Sequence, residues 1–185
     1  MELTTRPKRA DARRNYDQLI AAAREAFKEK DRSASLEDIA RRAGVGIGTL
    51  YRHFPTRSDL IEAVYVEEVE ALARSAEDVT DLEPWDGLIK WLHGFVDYIA
   101  TKQALAEELF AIAEHNADVF SNCREALNSA GRPLLERAQA DGVVRRDTDI
   151  QDVIRMVAGI AKMPAAEPGE IDRVLDLALD GLRVR

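Results

Sequence analysis

Seven positions between residues 47 and 57 carry side chains suited to reading and gripping a duplex: Ile47, Gly48, Thr49, Tyr51, Arg52, His53 and Arg57. Ile47 and Thr49 can touch base edges or a thymine methyl, and the Arg52 guanidinium can donate to guanine O6 and N7. Gly48 has no Cβ and lets backbone approach a groove wall. Tyr51, His53 and Arg57 hold donors for phosphate oxygens. Ser35, upstream, can offer its hydroxyl at a helix start, where unpaired N–H groups and the helix dipole favour an anion.

Other chemistry finds little support. The sequence contains no Gly-rich phosphate loop, no nucleophile elbow and no paired-His metal motif. His93 and Asp97 stand four apart, and His115 and Asp118 three apart, but neither pair has a third ligand. Both read as polar helix faces, so no metal, no cofactor and no enzymatic activity are expected. Cys123 is the sole cysteine, which excludes an intrachain disulfide and fits a reducing cytoplasm. It reads as a small inert core residue, since Arg124 alone is little ground for a redox-sensing thiol.

The candidate residues need elements to position them. Ser35 followed by Asp38 is a capping-box pattern, and Leu36, Ile39, Ala40 and Ala43 then recur at helical spacing. Gly44 falls where a helix stops in the left-handed conformation, and Val45 can plug the corner. A second short helix over about 47–53 turns Leu50 inward, with Phe54 following, and Pro55 ends it. Thr56 and Asp59 repeat the capping pattern and open a longer helix. Two short helices about a Gly turn form a helix-turn-helix, whose second helix enters a major groove. Upstream, 12–29 reads as a bracing helix with Tyr16, Leu19, Ile20, Ala23 and Phe27 in one stripe; Arg13 and Arg14 outside it are further phosphate candidates. Residues 1–11, with Arg6, Lys8 and Arg9, read as a disordered basic arm, either laid on DNA or simply solvated.

The runs Ser35-Leu-Glu-Asp-Ile-Ala40, Ala43-Gly-Val-Gly-Ile-Gly-Thr-Leu-Tyr-Arg-His-Phe54 and Arg57-Ser-Asp-Leu60 resemble the DNA-binding domain of TetR-family transcriptional regulators. The match covers roughly residues 12–66, and Gly46 departs from it, standing where many members have a capping Ser. The resemblance implies a homodimeric regulator, chiefly of the repressor kind, binding a palindromic operator and responding to a small-molecule effector held in its body. It also implies that the long helix transmits ligand binding to the heads.

The rest of the 185 residues agrees with that scheme. Residues 1–57 hold 13 Lys/Arg against 8 Asp/Glu, net +5, whereas 58–185 hold 13 against 26, net −13, for a total of −8. A basic head on an acidic body meets DNA with one end only. The expected division is therefore 1–57, basic arm and DNA-binding domain, and 58–185, ligand-binding and dimerisation domain, linked by a helix over ~57–77. After a linker at 78–84, helical periods continue over 85–101, 103–115 and 117–131. Gly131-Arg-Pro133 should break or kink the chain before 134–141, and 149–161 and 170–183 complete the pattern. No β pattern survives, so the fold is expected to be all-α: a three-helix helix-turn-helix domain plus a C-terminal bundle, about nine helices in all.

Candidates to line an effector cavity are Trp91, Phe95 and Tyr98, then Phe110, Phe120, Met156 and Met163, though such residues are more often plain core than cavity lining. The last two helices carry more apolar surface than a terminal hairpin needs. Val153, Ile154 and Val157, with Ile171, Val174, Leu175, Ala178 and Leu182, are the candidates to pair with a second copy as a four-helix bundle. No signal-peptide pattern opens the chain and no run suits a membrane span, so a cytoplasmic protein is expected, nucleoid-associated when bound to DNA. The rival reading is an all-α small-molecule carrier or enzyme in which the helix-turn-helix is structural.

Overall fold

The computed structural model describes Pro7 and residues 9–28, 34–164 and 167–184. Most of the expected basic arm, the 29–33 connector and Ala165–Ala166 lie outside the described residues. Among the described residues the architecture is all-helical, with nine α-helices. These are α1 (Ala10–Lys28), α2 (Leu36–Arg42), α3 (Ile47–His53), α4 (Arg57–Ser75), α5 (Pro84–Ala104), α6 (Ala106–His115), α7 (Ala117–Ala140), α8 (Ile150–Ala161) and α9 (Glu170–Asp180), with a 3-10 turn at Glu77–Val79.

The chain divides into two compact units. The first comprises 1–68 and 101–121, the second 69–100 and 122–185. The division between the units falls within α4, and α6 goes with the helix-turn-helix. Local contacts show what holds that arrangement. The Asn116 amide donates to both Glu62 carboxylate oxygens at 3.2 and 3.3 Å. Phe120 stacks on Tyr65 with ring centroids 5.2 Å apart. Arg24 of α1 pairs with Glu68 of α4. These contacts tie long-range segments to the first half of α4, a link that helical periodicity cannot report.

In the second unit the core gathers about Trp91, which is 1% exposed. Its indole N–H donates to the Leu72 carbonyl at 3.0 Å. A Cβ added at Gly131 would stand 2.6 Å from the Trp91 ring, so glycine is what lets α7 lie against it. This also explains a difference from the sequence expectation: α7 runs unbroken through Gly131-Arg132-Pro133. A proline inside a helix costs about 3 kcal/mol. Leu127 on one side of it and Leu134 and Leu135 on the other are all buried, and each such burial contributes about 1.5–3 kcal/mol, so the continuous stripe prevails. The break expected after Thr101 falls instead at Leu105, which is buried, leaving Gln103 in α5.

The ends are pinned by hydrogen bonds. Gly142, at φ 80°, closes α7, with its N–H and that of Val143 bonded to the carbonyls of Gln139 and Ala138. The Asp149 side chain caps α8 by accepting from the Asp152 N–H at 2.9 Å. Arg137 donates to the carbonyls of Thr80 (2.6 Å) and Leu82, securing the turn before α5. The C-terminus is tied back by Arg145 N–H to Leu182 O (2.9 Å) and Val184 N–H to Val143 O (3.2 Å).

Candidate nucleic-acid interface

The helix-turn-helix is built by its punctuation. Ser35 Oγ accepts from the Asp38 N–H at 3.1 Å and lies 3.1 Å from the Asp38 carboxylate, to which it donates. That bond, ahead of the neighbouring Arg41 and Arg42 charges, holds the Asp38 carboxyl below its ordinary pKa. Gly44 stands at φ 66°, and two bonds close α2 behind it: Gly44 N–H to Arg41 O (3.1 Å) and Val45 N–H to Ala40 O (3.0 Å). At the start of α4, Thr56 and Asp59 exchange side chain to backbone bonds in both directions, at 2.8 and 3.2 Å.

The short α3 is anchored from beneath. Leu50 is fully buried and Phe54, just past its end, is 3% exposed. Tyr16 of α1 supports them, its ring 5.2 Å from Phe54 and 6.1 Å, edge-on, from His53. With 3.6 residues per turn, positions two before and two after Leu50 fall on the opposite side of the helix. Those are Gly48 and Arg52, and both are exposed. Arg52 Nε donates to the Gly48 carbonyl at 3.0 Å, which lays the guanidinium along that outer face. Ile47 and Tyr51 form one flank, 39% and 44% exposed, and Thr49 and His53 form the other, both half-buried. Burial, then the adjacent Arg52 charge, lowers the His53 pKa below 6.5, so the imidazole is neutral at pH 7 and donates through a ring N–H.

Two candidates are placed differently from the rest. The Ser35 hydroxyl is engaged with Asp38. Arg57 turns into the head: its guanidinium donates to the Ala34 carbonyl at 2.6 Å and lies over the Phe27 ring, 5.3 Å from the centroid. Tyr16 stands in the stripe expected to brace the helix-turn-helix, whereas sequence reasoning placed Arg24 outside it and missed its pairing with Glu68, because spacing reveals that a residue lies on a face and not what it meets. Arg13 and Arg14 line an open hollow on α1 with Asp17 and Gln18.

The effector and dimer candidates divide. Trp91, Phe95 and Tyr98 are buried in sequence along α5, with ring centroids 6.3 and 5.4 Å apart. Met156 and Met163 are half-buried in the same unit. Phe120 and Phe110 belong to the other unit. Phe110, expected inside, is 70% exposed, because α6 buries Leu109 and Ile112 and the residue after Leu109 turns off that face. On the last hairpin, Val153, Val157, Leu175 and Leu182 are already buried within the single chain. Ile154, Ile171, Val174 and Ala178 remain half-exposed, and Leu177 beside them is 72% exposed.

Comparison with known proteins agrees with this geometry. Residues 19–64 match the family model for bacterial regulatory proteins of the tetR family, and residues 83–184 match the C-terminal domain of SbtR-like transcriptional regulators. Among solved structures, the TetR transcriptional regulator SCO0520 from Streptomyces coelicolor is 41% identical, with a TM-score of 0.80 over 91% of this chain and 98% of that one. A TetR regulatory protein from Mycobacterium vanbaalenii is 30% identical, with a TM-score of 0.78 over 96% and 100%. The HTH-type transcriptional regulator UidR of Escherichia coli is 29% identical over 80% of this chain and 78% of its own. With its helix-turn-helix and its C-terminal half both matched, the chain belongs to the TetR family of transcriptional regulators.

Proposed function

We propose that this regulator is a homodimeric repressor that sets α3 of each copy into consecutive major grooves of a palindromic operator. The observation that carries this is the outer face of α3: Gly48 and Arg52 stand opposite the buried Leu50, on a head with net positive charge. Arg52 presents its terminal amino groups to guanine, Thr49 reads beside it, and His53 with Arg13 and Arg14 reaches phosphate. Ser35 and Arg57 serve the interface by fixing α2 and α4, as their internal bonds suggest. Half-sites are then ~34–36 Å apart or a multiple of that.

Dimerisation uses the apolar surface α8 and α9 leave uncovered, namely Ile154, Val174, Leu177 and Ala178. The effector is a small molecule taken up in the second unit, where Trp91, Phe95, Tyr98 and Met156 supply apolar surface. Its differential affinity for two states of the dimer shifts the heads out of register with the operator. The protein works in the cytoplasm; among the described residues no helix is long and apolar enough to cross a membrane.

The test is selection of bound duplexes from a random pool, repeated with Arg52→Ala. The wild type should enrich a palindrome, and the variant should lose discrimination at one position per half-site, by about 1–3 kcal/mol. An enriched sequence identical for both proteins would refute the role of Arg52.

A further inference from the structure

Exposed apolar surface on a recognition helix calls for an apolar partner. Between α1 and α4, Ile47 and Tyr51 are the only large hydrophobic side chains so exposed among the described residues. They stand four apart on a seven-residue helix. Side chains at that spacing lie ~5–6 Å apart, so the two form one continuous edge rather than two isolated contacts. The edge borders the face on which Arg52 is held to the Gly48 carbonyl. Nothing crowds the centre of that face, since a Cβ built at Gly48 meets no atom within 4 Å.

The isoleucine side chain has neither donor nor acceptor, and the base edges of the major groove are mostly donors and acceptors, with one apolar group that projects from them. That group is the C5 methyl of thymine. Tyrosine presents an apolar ring with a single polar tip, so the ring body can share the same contact while the hydroxyl stays at the groove margin. Resting on the proposed placement of α3 in the groove, we infer that Ile47 and Tyr51 form a reading edge for thymine methyl groups, beside the guanine addressed by Arg52. Four residues of helix rise ~6 Å, about two base steps of ~3.4 Å. Each half-site therefore carries a thymine within about two steps of that guanine. This assigns Tyr51 to base recognition through its ring, where phosphate gripping would use its hydroxyl.

The probe is a duplex enriched by the wild-type protein from a random pool. It is compared with copies in which each dT is replaced singly by dU, which deletes one methyl and no hydrogen-bonding group. At one or more positions per half-site the replacement should weaken binding about fourfold, the effect of one buried methyl-sized group. Ile47→Ala protein, altered only at an exposed side chain, should bind the dT and dU duplexes alike at that position. Tyr51→Phe should keep wild-type affinity and sensitivity to dU; a uniform loss across all duplexes would show the hydroxyl on phosphate and overturn the assignment of Tyr51. Equal wild-type affinity for every dU copy would overturn the methyl inference while leaving DNA binding intact. A pool that enriches no duplex would remove the regulator reading itself.

Discussion

Gly48→Ala separates the two demands placed on α3. The substitution adds one methyl at the centre of the outward face. In the free protein that methyl meets no atom within 4 Å, and the backbone there is not in the left-handed region. Alanine is favoured over glycine by up to about 1 kcal/mol in a helix interior and by less in the first turn, where Gly48 stands, so the variant should fold as well as the wild type or better. On DNA the balance reverses. If the Gly48 backbone lies against the groove wall, the added methyl overpacks a close contact, which costs about 1–3 kcal/mol per copy. In a dimer this falls twice, so operator affinity should drop about 30-fold or more. The assay is paired: urea unfolding followed by circular dichroism, and fluorescence anisotropy on a selected duplex and on a scrambled one. Higher stability with affinity within twofold of wild type would show that the groove wall is not close to Gly48. That result would refute the docking geometry drawn from the outer face of α3.

Three further outcomes follow from named contacts. Arg57→Ala removes the bond to Ala34 O and the contact with Phe27, so the head should lose about 1–3 kcal/mol; the salt slope of operator binding should stay unchanged, and a slope shallower by about one per copy would show Arg57 on phosphate instead. His53 has a folded pKa below its unfolded value of 6.5, so the unfolded chain takes up the proton first as pH falls. Its contribution is fully present above pH 6.5 and is lost as pH drops towards the folded pKa; His53→Gln should flatten that part of a stability against pH curve, and an unchanged curve would contradict the burial. Leu177→Glu alters a side chain that is 72% exposed, so the subunit should keep its helicity. It removes two buried leucines from the proposed dimer, about 3–6 kcal/mol, and should raise the dimer dissociation constant at least 100-fold by analytical ultracentrifugation. An intact dimer would place the interface elsewhere.

What could be read directly from the chain is what short-range chemistry controls. Ser35 with Asp38 and Thr56 with Asp59 each announce a helix start, and each cap forms as expected. Gly44 announces a left-handed stop and adopts it. These signals act over three or four residues, so no tertiary information is needed to interpret them, and together with the coincident spacings of 35–60 they sufficed for the helix-turn-helix, the all-α class and the family.

Where periodicity failed, packing decided, in most cases through partners far away in sequence. Pro133 looked like a break until Trp91 filled the space beside Gly131 and the leucines around it shared one buried face. The charge of Arg57 was legible, but its bond to Ala34 O and its place over Phe27 were not. Phe110 looked like core until Leu109 and Ile112 set the buried side of α6. The apolar stripe of α9 did not distinguish Leu175, buried in its own subunit, from Leu177, which is not. A pattern records that a side chain is apolar or charged. Which neighbour it meets depends on contacts between segments many residues apart, and those exist only once the chain has packed.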